Sequence, residues 1–238
     1  MGSMMFTPSA GKQYSIRLSE PLSDSVFLLP EIYNEGISLR LDREDKEYLE
    51  FVITQYPGFE KKTVYLRGQV RGMVCCIAMG VLVNELKIKI PLKEFPFQGI
   101  AEFTLFDDDL TSIAERLVYV NPEKKLYIKT ELNKTRLEIK SRAKLKIAVT
   151  DENGQLISAN LGISIYDKLY HDKIDPVNIL SHCYLSSQIR SKIYGPASYF
   201  DTTNTIRKDA LYLLLLTQGW RRYLWSESFL KKIREPKL

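Results

Sequence analysis

Apolar residues recur at every second position over short runs between Lys12 and about Val120. Tyr14-Ser15-Ile16-Arg17-Leu18, Ile37-Ser38-Leu39-Arg40-Leu41, Val64-Tyr65-Leu66-Arg67 and Leu86-Lys87-Ile88-Lys89-Ile90 all show this period. It is the spacing of a strand with one face buried and one in water. Turn-forming residues separate the runs: Asn34-Glu35-Gly36, Tyr56-Pro57-Gly58 and Phe95-Pro96-Phe97-Gln98-Gly99. Short strands punctuated in this way predict an antiparallel β-sandwich. Arg71-Gly72-Met73-Val74-Cys75-Cys76-Ile77-Ala78 is more continuously apolar, the pattern of a central strand covered on both faces. Ala101–Phe106 and Arg116–Val120 flank a polar turn and predict a hairpin.

Asn121-Pro122 marks a boundary, because proline cannot donate into a sheet ladder. A second β series follows in Leu126–Thr130, Leu137–Lys140, Ala143–Val149 and Ala159–Tyr166. Within it, Asp151-Glu152-Asn153-Gly154 carries the Asn-Gly pair that a tight hairpin favours. After Asp167 the period changes. Asp175-Pro176-Val177-Asn178 predicts a capped helix start. Thr203 or Thr205 would cap a longer helix through Ile206, Ala210, Leu213 and Leu214 towards Gly219. A last helix is predicted from Ser226 to Arg234. The helices are rich enough in apolar residues to pack on the sandwich or on each other.

Composition narrows the function classes. The 238 residues carry Lys+Arg 34 and Asp+Glu 29, a net +5 spread along the chain. Nucleic-acid binding calls for a clustered basic face, which this distribution lacks. The alternating lysines read as the solvated side of a sheet. No run approaches the ~20 apolar residues of a membrane-spanning helix. Met1-Gly2-Ser3-Met4 lacks the basic patch and apolar core of a secretion signal. Residues 1–11 therefore read as a tag remnant or leader on a chain that began elsewhere, and the missing signal does not argue for the cytoplasm.

Chemistry-bearing residues are sparse. Two His and three Cys exclude a disulfide scaffold and leave little for zinc. Cys75, Cys76 and Cys183 read as small buried hydrophobes. His182-Cys183 suggests an activated thiol, as in a hydrolase or transglutaminase-like enzyme, but sequence neighbours seldom aim their side chains at each other. His171 beside Asp172 reads as a loop residue. Asp107-Asp108-Asp109 gathers three carboxylates at a hairpin tip, where a solvated turn is favoured over Ca²⁺ because EF-hand spacing is missing. No catalytic set, metal site or cofactor is expected. The densest aromatic and basic cluster is Trp220, Arg221, Arg222, Tyr223 and Trp225. It would either anchor the terminal helices or meet a neighbouring domain.

Three stretches carry a family resemblance. Gly99–Asp107 followed by Ala114-Glu115-Arg116-Leu117-Val118-Tyr119-Val120 resembles the close of a macroglobulin-like domain in bacterial envelope proteins. Lys144–Asp151, Asn153-Gly154 and Ser158–Asp167 are similar to the paired strands that open the next such domain. Tyr194-Gly195-Pro196-Ala197-Ser198-Tyr199-Phe200-Asp201 with Asp209–Arg222 resembles the segment between macroglobulin-like modules and a TonB-dependent receptor plug. The resemblance covers the chain from about Gly99; the first hundred residues fit by strand pattern. The family's thioester motif, Cys-Gly-Glu-Gln, has no match at Val74-Cys75-Cys76-Ile77 or His182-Cys183-Tyr184-Leu185.

The resemblance implies two antiparallel, Ig- or fibronectin-like β-sandwiches with a helical C-terminal segment: residues 12–120, then 121–238 with strands to about 167. It further implies a non-catalytic structural or interaction fragment of a large exported protein, placed in the periplasm or at the outer membrane. Its partners would be neighbouring domains of the parent chain, other envelope proteins or glycan, with no nucleic acid and no transmembrane segment. The alternative is a glycan- or peptide-binding sandwich module working through exposed aromatics or a sheet edge. A second sandwich cut short would leave a strand edge open and promote association in solution.

Overall fold

The computed structural model describes residues 6, 8–9, 11–18, 24–32, 35–136, 138, 140–165, 178–189 and 191–218. These residues are mainly β and form four antiparallel sheets. β1 (Ser15–Arg17) and β2 (Val26–Leu28) make a small ribbon of exposed residues. The packed core therefore begins at Ile37 rather than near Lys12.

Seven strands between Ile37 and Val120 build that core. β3 (Ile37–Glu44), β4 (Tyr48–Gln55) and β7 (Glu85–Pro91) form one sheet in the order β3-β4-β7. β5 (Lys62–Val70), β6 (Met73–Leu82), β8 (Gly99–Phe106) and β9 (Ser112–Val120) form the other, in the order β6-β5-β8-β9. The period-two pattern decides which side chains meet between the sheets. Leu49, Phe51 and Ile53 of β4 and Ile88 and Ile90 of β7 pack with Val64 and Leu66 of β5 and Phe103 and Leu105 of β8. The Phe51 and Phe103 rings lie 4.4 Å apart, and Phe95 closes on Phe103 at 5.7 Å. Gly68 sits inside β5 because this cluster leaves no room: a Cβ there would lie 2.7 Å from Cys76 Sγ and 2.9 Å from Phe103 Cε1.

The β8–β9 hairpin expected from its pattern is present, with Asp107–Thr111 at its tip. β9 stops at Asn121, which takes φ 49°. Its side-chain amide donates to the carbonyls of Leu92 (3.2 Å) and Phe95 (2.7 Å). Asparagine accepts this left-handed backbone better than most residues.

Three expectations need correction. The apolar run after Arg71 is an edge strand, β6, and its outward side chains are exposed. Secondly, the β series after Asn121 gives one ribbon of β10 (Tyr127–Leu132) and β11 (Leu145–Thr150). The turn at Asp151–Gly154 forms, but residues 157–165 add no strand beyond an isolated Thr150–Leu156 bridge. Glu138 and Lys140 lie in a turn, not a strand. Thirdly, neither Thr203 nor Thr205 caps the longer helix. α1 (Ile179–Ser181) is capped by Asn178 in a capping box and continues into a π-helical turn, His182–Ser186. α2 (Arg207–Thr217) starts after Ile206 without a side-chain cap. The turn before it is instead held by Asp201, which accepts from Thr203, and by Asn204, which accepts from the Ile206 N–H.

The helical segment folds back on the four-stranded sheet. Leu185, Ile189, Leu211 and Leu215 bury Ile100 of β8 and Leu117 of β9 on that sheet's outer face, with Tyr119 and Phe200 stacked edge-on at 5.8 Å. Among the described residues no helix is long and apolar enough to cross a membrane.

Candidate functional site

The two facing sheets have four edge strands, and the chain treats them unequally. An unpaired edge is a template for pairing with another strand, and folded proteins usually blunt it. On β3 the outward positions hold Arg40 and Asp42, ion-paired at 2.9 Å, and a bulge lies between Leu41 and Arg43. On β7 the outward positions are Glu85, Lys87 and Lys89, and Lys89 pairs with Glu50 of β4 at 3.4 Å. On β9 a charge points inward. Arg116 stands opposite Phe103 and is buried, with its guanidinium 5.0 Å from the Tyr212 ring of α2. Each device makes further pairing costly.

β6 lacks them over most of its length. Met73-Val74-Cys75-Cys76-Ile77-Ala78-Met79-Gly80-Val81-Leu82 contains no charged residue. A register shift against β5 leaves Cys75 as the extra residue near the start, and Cys76–Leu82 then pairs regularly with Lys62–Gly68. In that regular stretch Cys76, Ala78 and Leu82 turn inward to the core, while Ile77, Met79 and Val81 are 65%, 69% and 54% exposed. Beside them on β5 stand Arg67, Tyr65 and Thr63. The Arg67 guanidinium lies 4.8 Å from the Phe106 ring. The outer face of this sheet is thus divided: the helical segment covers the β8–β9 end, and among the described residues nothing covers an apolar strip on β6.

A second apolar surface lies on the β10–β11 ribbon. Ile128 opposite Val149, Thr130 opposite Ile147 and Leu132 opposite Leu145 form one side. The other side is polar: Glu131 pairs with Lys129 at 3.3 Å and with Lys146 at 3.9 Å. Leu161, Ile163 and Ile165 beyond it are exposed as well.

The groups with chemical capacity are scattered. Burial pushes the Cys76 thiol up to about 11 and also raises Cys75, so both are poor nucleophiles at neutral pH. Cys183 is exposed, contrary to its expected burial, on the same helical turn as His182. Adjacent residues on such a turn do not face each other. Asp107 Oδ1 accepts from the Thr111 N–H at 2.7 Å and shapes the hairpin tip. Among the described residues no three His, Cys, Asp or Glu side chains are grouped to hold a metal. His171, Asp172 and the cluster of Trp220, Arg221, Arg222, Tyr223 and Trp225 lie outside the described residues.

Two open depressions flank the three-stranded sheet. One, of about 580 Å³, is lined by Lys46, Tyr48, Lys89 and Lys93. Its Tyr48 ring already has Lys89 Nζ at 4.7 Å, so it offers no free face to a sugar. The other, of about 410 Å³, is lined by Ser38, Thr54, Gln55 and Tyr56, and Tyr56 meets Phe59 edge-on at 6.2 Å.

No family model matches the chain, and no curated protein matches it. The sequence pattern concealed the β6 surface because apolar residues on both sides of a strand read as burial on both sides. The signal that marks it is the absence of charge over ten residues, in contrast to the lysines and arginines of the other edges.

Proposed function

We propose that the chain is a non-catalytic interaction fragment of a large exported bacterial envelope protein, built from macroglobulin-like modules, and that it works by presenting surfaces rather than by performing chemistry. The observation that carries this reading is the contrast among the four edges, three blunted and one left apolar and open. A three-plus-four division of strands around one core supports a macroglobulin-like or Ig-like sandwich over Ile37–Val120. The amphipathic β10–β11 ribbon supports a second such module beginning after Asn121, since a two-stranded ribbon with one apolar side requires a covering layer. Neighbouring domains of the parent chain, in the periplasm or at the outer membrane, are the natural source of that layer.

Fractionation of the native cells with an antibody against this chain tests the proposal. The antigen is expected in the periplasmic or outer-membrane fraction, at a mass well above 27.5 kDa. A cytoplasmic species of 27.5 kDa overturns it. A second reading, a glycan-binding module, is favoured by one feature: the Tyr56–Phe59 pair beside a groove of hydroxyl and amide groups. A glycan array that stays blank with the wild-type chain removes that reading.

A further inference from the structure

We propose that the open β6 edge pairs with β6 of a second copy of this chain, antiparallel across Cys76–Leu82 about a twofold axis near Met79, joining two four-stranded sheets into one of eight. The inference rests on the reading of the chain as an interaction module and names the partner of that surface.

The first ground is self-complementarity. A strand that pairs antiparallel with its own copy about a twofold axis sets residue i opposite residue j and j opposite i. Centred on Met79, the pairing places Met79 against Met79 and Ile77 against Val81, all on the outer face, where all three are now more than half exposed. Inward, Ala78 meets Gly80 at the centre of the joint, next to Leu86 of β7, and Cys76 meets Leu82 at its ends, so the core side is uncharged throughout. No like charges meet, because Met73–Leu82 has none. A charged partner strand would find no complement here, whereas a neutral copy meets its match at each position. The second ground is regularity. The register shift that disturbs β6 ends at Cys75, and the seven residues beyond it run about 24 Å without interruption. The third ground is the other edges. β3, β7 and β9 carry the charges, bulge and helix that prevent pairing, so among the described residues β6 is the edge of the two-sheet core left to extend a sheet, and a twofold pairing of β6 with itself uses that edge up at two copies. A contact of one strand lies at the small end of the interface range, and the dimer is accordingly reversible.

Sedimentation equilibrium of the full chain from micromolar to several hundred micromolar tests the pairing. The wild-type mass is expected to rise from 27.5 kDa towards twice that value with concentration. Met79→Lys and Met79→Glu each set like charges face to face at the axis, and each weakens association by about tenfold or more. An equimolar mixture of the two variants restores the dimer, because the axis then joins opposite charges. Val81→Lys, at the same exposed face, repeats the loss at an independent position. A wild type that stays at one chain mass overturns the pairing, as does a dimer that survives Met79→Lys. A monomer recovered from the outer-membrane fraction refutes the pairing alone. A dimer whose native source is a 27.5 kDa cytoplasmic protein refutes the module reading alone.

Discussion

Leu185→Ala should detach the helical segment from the sheet while leaving the two-sheet core intact. Leu185 has no exposed surface and sits in a small cluster that holds, among the described residues, six buried side chains, four from the helical segment and two from the sheet. Truncating a buried leucine costs about 2–5 kcal/mol, the upper part of that range applying where the site cannot collapse around the void. A small domain has only about 5–15 kcal/mol in all, and a peripheral layer opens with less than the whole. The loss is therefore comparable to everything that holds the layer down. The larger cluster shared by the two sheets contains none of the helical residues, so it has no reason to melt with them. Hydrogen exchange read by mass spectrometry should show protection lost over 179–189 and 207–217 and on the outer face of β9, with β4 and β5 unchanged. Tyr119 gives a second readout. Its phenol donates to Gln98 Oε1 at 3.2 Å, and burial raises it well above its usual value near 10. A raised phenol stays protonated in the folded chain, so its contribution is present below pH 10 and is lost as the pH climbs towards the folded value. In the variant Tyr119 should ionise closer to pH 10 in an ultraviolet titration. Unchanged exchange across both helical stretches would refute the reasoning, and so would loss of protection throughout β4 and β5.

Two further outcomes test other parts of the fold. Asn121→Ala removes two hydrogen bonds to the Leu92 and Phe95 carbonyls and puts alanine, which tolerates the left-handed region less well than asparagine, at φ 49°; urea denaturation should show a loss of about 1–3 kcal/mol, with Asn121→Gly recovering only the backbone share. With N-ethylmaleimide at pH 8, exposed Cys183 should be labelled first and Cys76 at least about a hundredfold more slowly, its rate rising with pH towards about 11; equal rates in the folded chain would contradict the burial of Cys76.

β3, β5 and β7 were legible because apolar and polar residues alternate along them, and a half-buried strand writes its geometry into the sequence as a period of two; β4, buried at Leu49, Phe51, Val52 and Ile53, lacks that period. The β8–β9 hairpin and the turn at Asp151–Gly154 were legible for a related reason, since their tips need particular residues. Helix capping was not. Ser181 and Asn178 form the capping box, whereas Asp175-Pro176, three residues earlier, has the residues of a helix start as well. Thr203 has the chemistry of a cap, yet its hydroxyl donates to Asp201 and holds the turn instead. Which of several competent side chains reaches a helix end depends on how the chain approaches it, and that is set by the docking of Leu211 and Leu215 on the sheet.

β6 shows where pattern reading meets a physical ambiguity. A run such as Met73–Leu82 is apolar on both sides, and two situations produce it: a strand between two neighbours with layers above and below, or an edge strand whose other neighbour belongs to a different molecule. Local sequence cannot separate them, because both bury the same side chains in the end. The remaining edges do separate them. Once β3, β7 and β9 are seen to carry charges, a bulge or a helix, and β6 none over Cys76–Leu82, covering by the chain's own sheet is no longer an explanation, since β5 is its sole strand neighbour among the described residues. What remains is an exposed apolar edge without charge, for which a second β6 offers an uncharged apolar partner at each outward position.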